Sequence, residues 1–113
     1  FRTNLLDAVG QHVVSTEAVG WSARDIANTV WAFAVLQQTR QEVFQAFSGR
    51  ILLVASEFTP HGLASTTWAV AKVDYKDERL LHGIAQSLRL CMHRCHAHDL
   101  SNFSWSFATL LFH

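Results

Sequence analysis

Three tryptophans divide the chain at equal intervals. Trp31, Trp68 and Trp105 are each 37 residues apart, since 68 − 31 and 105 − 68 both equal 37. The segments that surround them agree in chemical type at most positions; they are 21–36, 58–73 and 95–110. A constant period of this length indicates a repeat architecture, in which each unit is one supersecondary element that packs against its neighbours.

Each predicted unit contains two helices, which we call A and B. Around Ile26 and Val30, apolar residues recur at the i, i+3, i+4 and i+7 positions, which share one face of a helix. Helix A is predicted at about residues 23–37 and helix B at about residues 41–56. Because short polar links join consecutive helices, we expect them to pack antiparallel.

Signals for the start of a helix precede the predicted A helices. Ser22 and Thr59 occupy corresponding sites, where a side-chain hydroxyl can accept a hydrogen bond from an N–H of the first turn. Pro60 follows Thr59 at a position where a missing N–H costs nothing. These signals place the beginning of the first two A helices near the beginning of the repeated segment.

The repeated units predict an all-α fold, an α-solenoid of stacked antiparallel helical hairpins with a 37-residue repeat. One hairpin cannot bury its apolar faces alone, whereas stacked neighbours can. We expect this chain to be part of a longer array. The predicted segments are helix B of a preceding unit, two full units and helix A of a further unit: 1–20, 21–57, 58–94 and 95–113.

Small residues and tryptophans are expected to share the repeat core. The small residues let helices approach closely, while each indole fills the space between one hairpin and the next. Removal of a buried indole such as that of Trp68 is therefore expected to cost roughly 3–5 kcal/mol. The expected repeat-core positions are Ile26, Trp31, Ala34, Leu63, Trp68, Ala71, Leu100, Trp105 and Ala108.

The composition excludes several classes of protein. A hydrophobic fraction of 50% with a single proline is typical of a globular domain rather than a disordered one. Nine basic and nine acidic residues give no formal net charge, so electrostatics alone does not favour a nucleic acid or an anionic membrane. No uninterrupted apolar run is long enough to cross a bilayer, and we expect no membrane insertion.

The repeated sequence motif resembles that of heptatricopeptide and octotricopeptide repeat proteins. The similarity lies in DIANTVWAFAVL at 25–36, GLASTTWAVAKV at 62–73 and the FTP that precedes the latter at 58–60. The resemblance implies an organellar RNA-binding solenoid that acts in RNA processing, stability, translation or ribosome assembly, in a mitochondrion, with a chloroplast as the alternative. It also implies no catalytic activity or cofactor in the repeats and, often, a separate RAP domain elsewhere in the protein.

By analogy with related helical arrays, RNA is expected to contact the concave surface formed by the A helices. Asn and Ser can bond to base edges, Arg and protonated His can pair with phosphate, and Phe103 can stack on a base. The candidate contacts are Arg24, Asp25, Asn28, Thr29, His61, Ser65, Thr66, His98, Asn102 and Phe103, with Gly62 and Asp99 at the corresponding remaining positions. A structural role for Asn28 and Asn102 is the alternative.

The balanced charge is the main objection to RNA binding, because nucleic-acid sites usually carry a basic patch. The basic residues expected near the A helices have acids interspersed among them; they are Arg24, Arg40, Lys72 and Lys76. The alternative function is a protein–protein scaffold, or a structural subunit of a large organellar complex such as a mitochondrial ribosome. Its partners are then other subunits of a ribonucleoprotein.

Two kinds of chemical site are considered and set aside. The tract 91–99 contains zinc-competent residues, but Cys91 and Cys95 correspond to the apolar Val54 and Phe58 in the other unit, and the spacing matches no standard tetrahedral motif. We therefore expect no metal. The chain also lacks a nucleophile elbow, a phosphate-binding loop and a paired set of carboxylates, so we expect no enzymatic activity.

Overall fold

The chain folds into α-helices joined by short connections. We describe it from a computed structural model that covers the backbone of residues 2–111 and the side chains of residues 5–111. Within those residues there are six α-helices and no strand. They are α1 (Arg2–Thr16), α2 (Ala23–Val35), α3 (Gln41–Leu53), α4 (Pro60–Lys72), α5 (Glu78–Cys91) and α6 (Ala97–Leu111). The predicted A helices correspond to α2, α4 and α6, and the B helices to α1, α3 and α5.

The helix-start predictions are confirmed. The backbone N–H of Asp25 donates to the Ser22 hydroxyl at 3.1 Å, and the Ser22 N–H donates back to the Asp25 carboxylate at 3.4 Å. Thr59 likewise accepts from the N–H of Gly62 at 3.0 Å, with Pro60 as the first helical residue. These side chains satisfy N–H groups that have no partner within the helix.

The ends of α2 and α4 repeat one another in detail. Gln37 and Asp74, which are 37 residues apart, both adopt a left-handed conformation, with φ of 58° and 55°. The residue after each donates its N–H to a carbonyl five positions back: Gln38 to Phe33 at 2.8 Å, and Tyr75 to Val70 at 3.0 Å. This Schellman arrangement ends the helix sharply and satisfies a carbonyl that the helix leaves free.

The helices form two layers. The most extensive contacts join α2 to α4 and α4 to α6, and a second series joins α1 to α3 and α3 to α5. The prediction of an all-α fold is confirmed. The overall dimensions, 40 × 29 × 23 Å with a radius of gyration of 13.2 Å, are those of a compact globule, so they do not establish the finer prediction of a solenoid. The unit boundaries also stay a prediction, and residues 1, 112 and 113 lie outside the described part.

Aromatic side chains fill the space between the layers. Phe33 of α2 meets Phe44 of α3 edge to face with ring centroids 6.5 Å apart, and Phe44 also contacts Tyr75 at 6.0 Å. Phe47 of α3 packs against Trp21 at 5.3 Å. The ring edges and faces of such pairs attract one another in addition to the apolar area that they bury.

A polar cluster ties α3 to the start of α5. The Asp77 carboxylate accepts from the Ser48 hydroxyl at 2.9 Å, from the Tyr75 hydroxyl at 3.3 Å and from the Leu80 backbone N–H at 3.1 Å. Burial by itself raises the pKa of Asp77, but the Leu80 N–H and the two hydroxyls outweigh it, so the pKa is lowered. The charged form of Asp77 therefore holds the link between α4 and α5 against α3.

The structure corrects the predicted role of two tryptophans. Trp31 and Trp105 are 49% and 46% exposed, so their indoles do not fill the space between hairpins. Trp68 is half-buried and packs against the core. The phenylalanines between the layers already occupy that volume, and Trp31 lies on the side of α2 opposite to Phe33.

The remaining expected core positions differ between helices. Ile26 and Ala34 of α2 are buried, as are Leu63 and Ala71 of α4. In α6, Leu100 is only half-buried and Ala108 is exposed, which corrects the expectation that Ala108 lies in the core. The reason is that α6 packs extensively against α4 on one side, while its other side remains open in the described chain.

Candidate interaction surface

The outer side of the layer formed by α2, α4 and α6 is the candidate site, and we call it the A face. Positions i, i+4, i+7 and i+11 of a helix point in the same direction, so four residues of each helix belong to it. They are Arg24, Asn28, Trp31 and Val35 of α2, His61, Ser65, Trp68 and Lys72 of α4, and His98, Asn102, Trp105 and Thr109 of α6. Because α4 lies between α2 and α6, the three sets form one continuous surface.

Most of the predicted polar contacts lie on or beside the A face. The exposed ones are Arg24, Asp25, Asn28, His61 and His98, and the half-buried ones are Thr29, Ser65 and Asn102. The structure thus brings the row at positions 28, 65 and 102 together on neighbouring helices. The Asn102 amide lies 3.5 Å from the imidazole of His98 on the same helix turn.

Two of the predicted contacts point the wrong way. Thr66 and Phe103 are 0% and 2% exposed, so Thr66 is not open to a ligand and Phe103 cannot stack on a base in this structure. Both residues occupy the side of their helix that faces the preceding helix of the layer. The Thr66 hydroxyl finds no hydrogen-bond partner within the described residues. At Thr29, the corresponding residue of α2, that side is not fully covered, which is why it remains half-buried.

A cleft between α2 and α4 gathers four of the predicted residues. Its volume is about 380 Å³, and its polar lining includes Arg24, Asn28, His61 and Ser65, together with Glu57 and Thr59. These side chains supply guanidinium, amide, imidazole and hydroxyl groups. Such a set can hydrogen-bond either to base edges or to the backbone of a bound peptide.

A second groove runs along the free side of α2. It has a volume of about 540 Å³ and is lined by Val19, Trp21, Asp25, Asn28 and Thr29, together with Gly20. Asn28 forms the ridge between this groove and the cleft. The groove is more apolar on the side of Val19 and Trp21, so it offers packing surface beside a few hydrogen-bonding groups.

Asp99 is a buried link between helices rather than an exposed contact. Its carboxylate accepts from the His96 backbone N–H at 3.1 Å and lies 3.3 Å from the imidazole Nδ1 of His61 on α4. Burial raises the pKa of Asp99, but the hydrogen bonds from His96 and His61 outweigh it, so the pKa is lowered. Asp99 therefore caps α6 and joins it to α4 at the same time.

The sequence reasoning missed that the tryptophans belong to the A face. Trp31 follows Asn28 by three residues and Arg24 by seven, a spacing that already places all three on one side of a helix. The ammonium of Lys72 lies 5.8 Å from the ring centroid of Trp68, within the range of a cation–π contact. The half-exposed indoles offer flat apolar surfaces for stacking or packing.

Exposed leucines mark a second surface, which sequence reasoning also missed. Leu53 and Leu90 end corresponding turns of α3 and α5, 37 residues apart, and are 77% and 80% exposed. We call them, with Val19 and Met92, the B ridge; all four are large apolar side chains open to solvent. Leu53 and Leu90 line one cleft and Val19 and Leu53 line another, so these exposed side chains lie near one another, as is typical of protein interaction sites. The sequence does carry a signal for this surface, because an aliphatic residue recurs in the last turn of α3 and α5.

The cysteine and histidine tract has an ordinary structural environment. Cys91 is buried, and the thiol of the half-buried Cys95 donates to the Cys91 carbonyl at 3.5 Å. Burial raises the pKa of the Cys95 thiol, which disfavours the thiolate that a metal would require. In the part of the chain that the structure describes, no group of three or more potential ligands comes together. The absence of a metal stays a prediction.

The charges of the A face are balanced. Arg24 and Lys72 are accompanied by Asp25 and Glu57, and Asp99 lies beneath. Arg40, expected near the A helices, instead forms a salt bridge with Asp7 of α1. The surface therefore lacks the clustered positive charge that supplies most of the affinity of non-specific nucleic-acid binding.

Nearly the whole chain matches one known protein family. The family described as RNA-editing substrate-binding complex 6 protein matches residues 3–113. The chain belongs to this family. Membership in the RNA-editing substrate-binding complex 6 family corrects the resemblance to heptatricopeptide and octotricopeptide repeats, which was based on the sequence motif of two A helices and on the 37-residue period.

Comparisons with individual proteins add nothing to the family assignment. No curated protein and no solved structure gives a significant match to the chain. Among the described helices, none combines the length and the apolar character needed to span a membrane.

Proposed function

We propose that this chain is a non-catalytic, protein-binding subunit of an RNA-editing complex in the mitochondrion. The observation that carries the proposal is the match to the RNA-editing substrate-binding complex 6 family over residues 3–113. The family match supports membership in such a complex, and the scaffold role is our proposal for what the chain does there. The chloroplast and the ribosome, which were alternatives at the sequence level, have no support from the family.

The surface of the molecule supports a scaffold. The A face carries half-exposed indoles with balanced charge, and the B ridge carries exposed leucines on the other layer. Protein interfaces are built around aromatic and aliphatic anchors with hydrogen-bonding groups near the edge. A two-layered helical fold with one such surface on each layer can bind two partners at once.

The solenoid and its units are part of the same proposal. The left-handed residues Gln37 and Asp74 recur at the interval of the repeat, as do the 3-10 turns Ala55–Glu57 and Met92–Arg94. These recurrences support units at 21–57 and 58–94, flanked by 1–20 and 95–113. In a stack of this kind each unit contacts only its neighbours, which leaves a long surface for partners.

An affinity purification from mitochondria tests the scaffold. The tagged chain is recovered with and without RNase, and the other subunits of the RNA-editing substrate-binding complex are quantified. We expect them to be retained after RNase, because the contacts are between proteins. Loss of every subunit after RNase treatment would contradict the proposal and would indicate tethering through RNA.

Variants of the B ridge identify the contact. Leu53→Ser and Leu90→Ser remove exposed side chains, so they leave folding intact and are expected to reduce recovery of a partner. Gln45→Ser and Gln86→Ser are matched controls at exposed positions of the same helices. Equal recovery with leucine and glutamine variants would exclude the B ridge as the interface.

Direct RNA contact through the A face is a second candidate, favoured by the exposed tryptophans beside Asn28 and Asn102. An indole that stacks on a base contributes about 1–3 kcal/mol. Trp31→Ala and Trp105→Ala are therefore expected to weaken binding of single-stranded RNA by about tenfold each. Filter binding over a range of salt concentrations measures this. Absence of RNA binding by the intact chain would remove this candidate and leave the scaffold.

A further inference from the structure

Helices α3 and α5 pack tightly at one point and leave an open groove beside it, between their last turns. The tight contact lies at Gly83, where an added Cβ would collide with the side chain of Leu52. The groove lies one turn further along α5, beside Ser87, and has a volume of about 390 Å³. We call it the α3–α5 groove.

The lining of the α3–α5 groove is largely apolar. Leu53 of α3 and Leu90 of α5, both of the B ridge, line it with side chains that are open to solvent. The buried part of the lining includes Phe58, Leu63 and Cys91. An aliphatic side chain that enters the groove would exchange water for apolar contacts, which is favourable.

A single charged side chain lines this groove. Among the described residues it is Arg94, which is exposed and forms no salt bridge with any of them. Glu57, which ends the turn after α3, lines the cleft between α2 and α4 instead. The groove thus combines an apolar lining with a positive charge that has no carboxylate partner in the described chain.

A corresponding groove lies one repeat interval earlier, between α1 and α3, and we call it the α1–α3 groove. Arg50 and Leu53 line it at the positions that Ser87 and Leu90 hold in the α3–α5 groove. It stays open although α5 packs against the other side of α3. A further B helix therefore does not fill the groove that precedes it, and both grooves lie between helices that are neighbours within the described chain.

The two grooves differ in charge. Glu17 and Glu42 line the α1–α3 groove, and the cation among its lining residues, Arg50, donates its Nε–H to the Trp21 carbonyl at 2.9 Å. Carboxylates therefore outnumber cations in the α1–α3 groove, whereas Arg94 makes the α3–α5 groove positive. An acidic partner would be repelled by the first groove and attracted by the second.

We propose that the α3–α5 groove binds a segment of another protein subunit that carries an aliphatic side chain next to a carboxylate. The aliphatic side chain enters between Leu53 and Leu90, and the carboxylate pairs with Arg94. The inference rests on the protein-binding function proposed above and names the chemistry of the partner at the B ridge. The opposite charge of the α1–α3 groove directs the segment to one groove of the two.

The lining favours a protein segment over RNA. Single-stranded RNA binds through exposed aromatic faces and several cations. Among the lining residues of the α3–α5 groove, the only aromatic side chain, Phe58, is buried, and the only cation is Arg94. An aliphatic anchor with a polar group at its edge is instead typical of a protein interface.

Charge reversal at Arg94 is the first test. The tagged intact chain with Arg94→Glu is purified from mitochondria with RNase, and the recovered subunits are quantified against those of the unmodified chain. We expect recovery of one subunit to fall about tenfold, because repulsion replaces an attraction. Arg94→Lys keeps the charge and is expected to retain most of that subunit.

Matched variants separate the groove from the rest of the surface. Arg89→Glu makes the same change of charge at an exposed position of α5 outside the groove lining, and we expect no loss. Leu90→Ser is expected to lose the same subunit as Arg94→Glu. Val14→Ser, which removes an exposed side chain from the α1–α3 groove, is expected to retain it. Circular dichroism checks that each variant is folded, and Arg94→Gln replaces Arg94→Glu if that variant has lost its helices.

A charge swap identifies the partner segment. Benzoylphenylalanine in place of Ser56, at the exposed edge of the groove, is cross-linked by light in mitochondria, and the attached peptide is sequenced by mass spectrometry. We expect a peptide of another subunit, with Asp or Glu within about one helical turn of an aliphatic residue. Replacing that acid by lysine in the partner should restore the binding that Arg94→Glu removes.

The outcomes distinguish this inference from the scaffold function. Subunits that resist RNase but are recovered equally with Arg94→Glu would overturn the groove assignment and leave the scaffold intact. Loss of every subunit from the unmodified chain after RNase would overturn both. A cross-link to RNA or to this chain itself, or a charge swap that restores nothing, would also overturn the assignment of the partner.

Discussion

Helices α4 and α6 carry corresponding segments of the repeat, yet they differ in what they bury. In α4 both lateral sides are covered, and Leu63 and Ala71 are inaccessible. In α6 the equivalents Leu100 and Ala108 are half-buried and exposed. The comparison teaches that the register of a repeat defines which side of a helix a residue occupies, while the number of neighbouring helices decides whether that side is buried.

The largest expected effect concerns the leucines at corresponding positions. Leu63→Ala removes a buried side chain and is expected to lower the free energy of unfolding by about 2–5 kcal/mol. Leu100→Ala is expected to cost at most about half as much, because part of that side chain already contacts water. Urea unfolding in dilute solution, followed by circular dichroism, measures both. Equal losses would mean that α6 is as enclosed as α4.

Replacing an alanine by a larger residue also tests the difference in burial between α4 and α6. Ala71→Leu forces a larger side chain between α4 and α6 and is expected to lower the free energy of unfolding by about 1–3 kcal/mol. Ala108→Leu lies on an open side and should change it by less than about 0.5 kcal/mol. The same unfolding experiment compares them. A large loss for Ala108→Leu would contradict the exposure of that side.

The pH dependence of stability distinguishes Asp99 from an exposed acid. Because its folded pKa lies below the ordinary 3.8, the carboxylate contributes stability that is present above that value and is lost as the pH falls through the folded pKa. At neutral pH, Asp99→Asn should cost about 1 kcal/mol through the weakened cap and bridge. The gap between the unmodified chain and the variant should then narrow below pH 3.8. A constant gap would contradict this account.

The smallest expected effect is a gain of stability. The buried Thr66 hydroxyl has no partner within the described residues, so Thr66→Val, which keeps the shape, should raise the free energy of unfolding by up to about 1 kcal/mol. Thr29→Val is the matched control at the half-buried equivalent in α2, where we expect almost no change. Thermal melting of both variants checks the difference. Destabilisation by Thr66→Val would indicate that the hydroxyl has a partner.

The sequence predicted which side of its helix most candidate residues occupy, but it was less reliable in predicting which side chains are exposed. The rows of Asn28 and His61 lie on the surface that the helical period indicates. Phe103 and Thr66 were assigned to the same surface, but they are buried because they face α4 and α2. The motif of two A helices was also insufficient to identify the family, which the match over residues 3–113 revealed.

The sequence by itself determined the helices. The apolar period, the Ser22 and Thr59 caps and the polar links placed α2 and α3 within two or three residues of their observed ends. These features act between residues a few positions apart, so they can be read without knowing the fold. The tertiary structure decided which sides of those helices are covered, because burial depends on helices that are distant in sequence. That is why Trp31 and Trp105, the residues that define the period, lie on the surface rather than in the core.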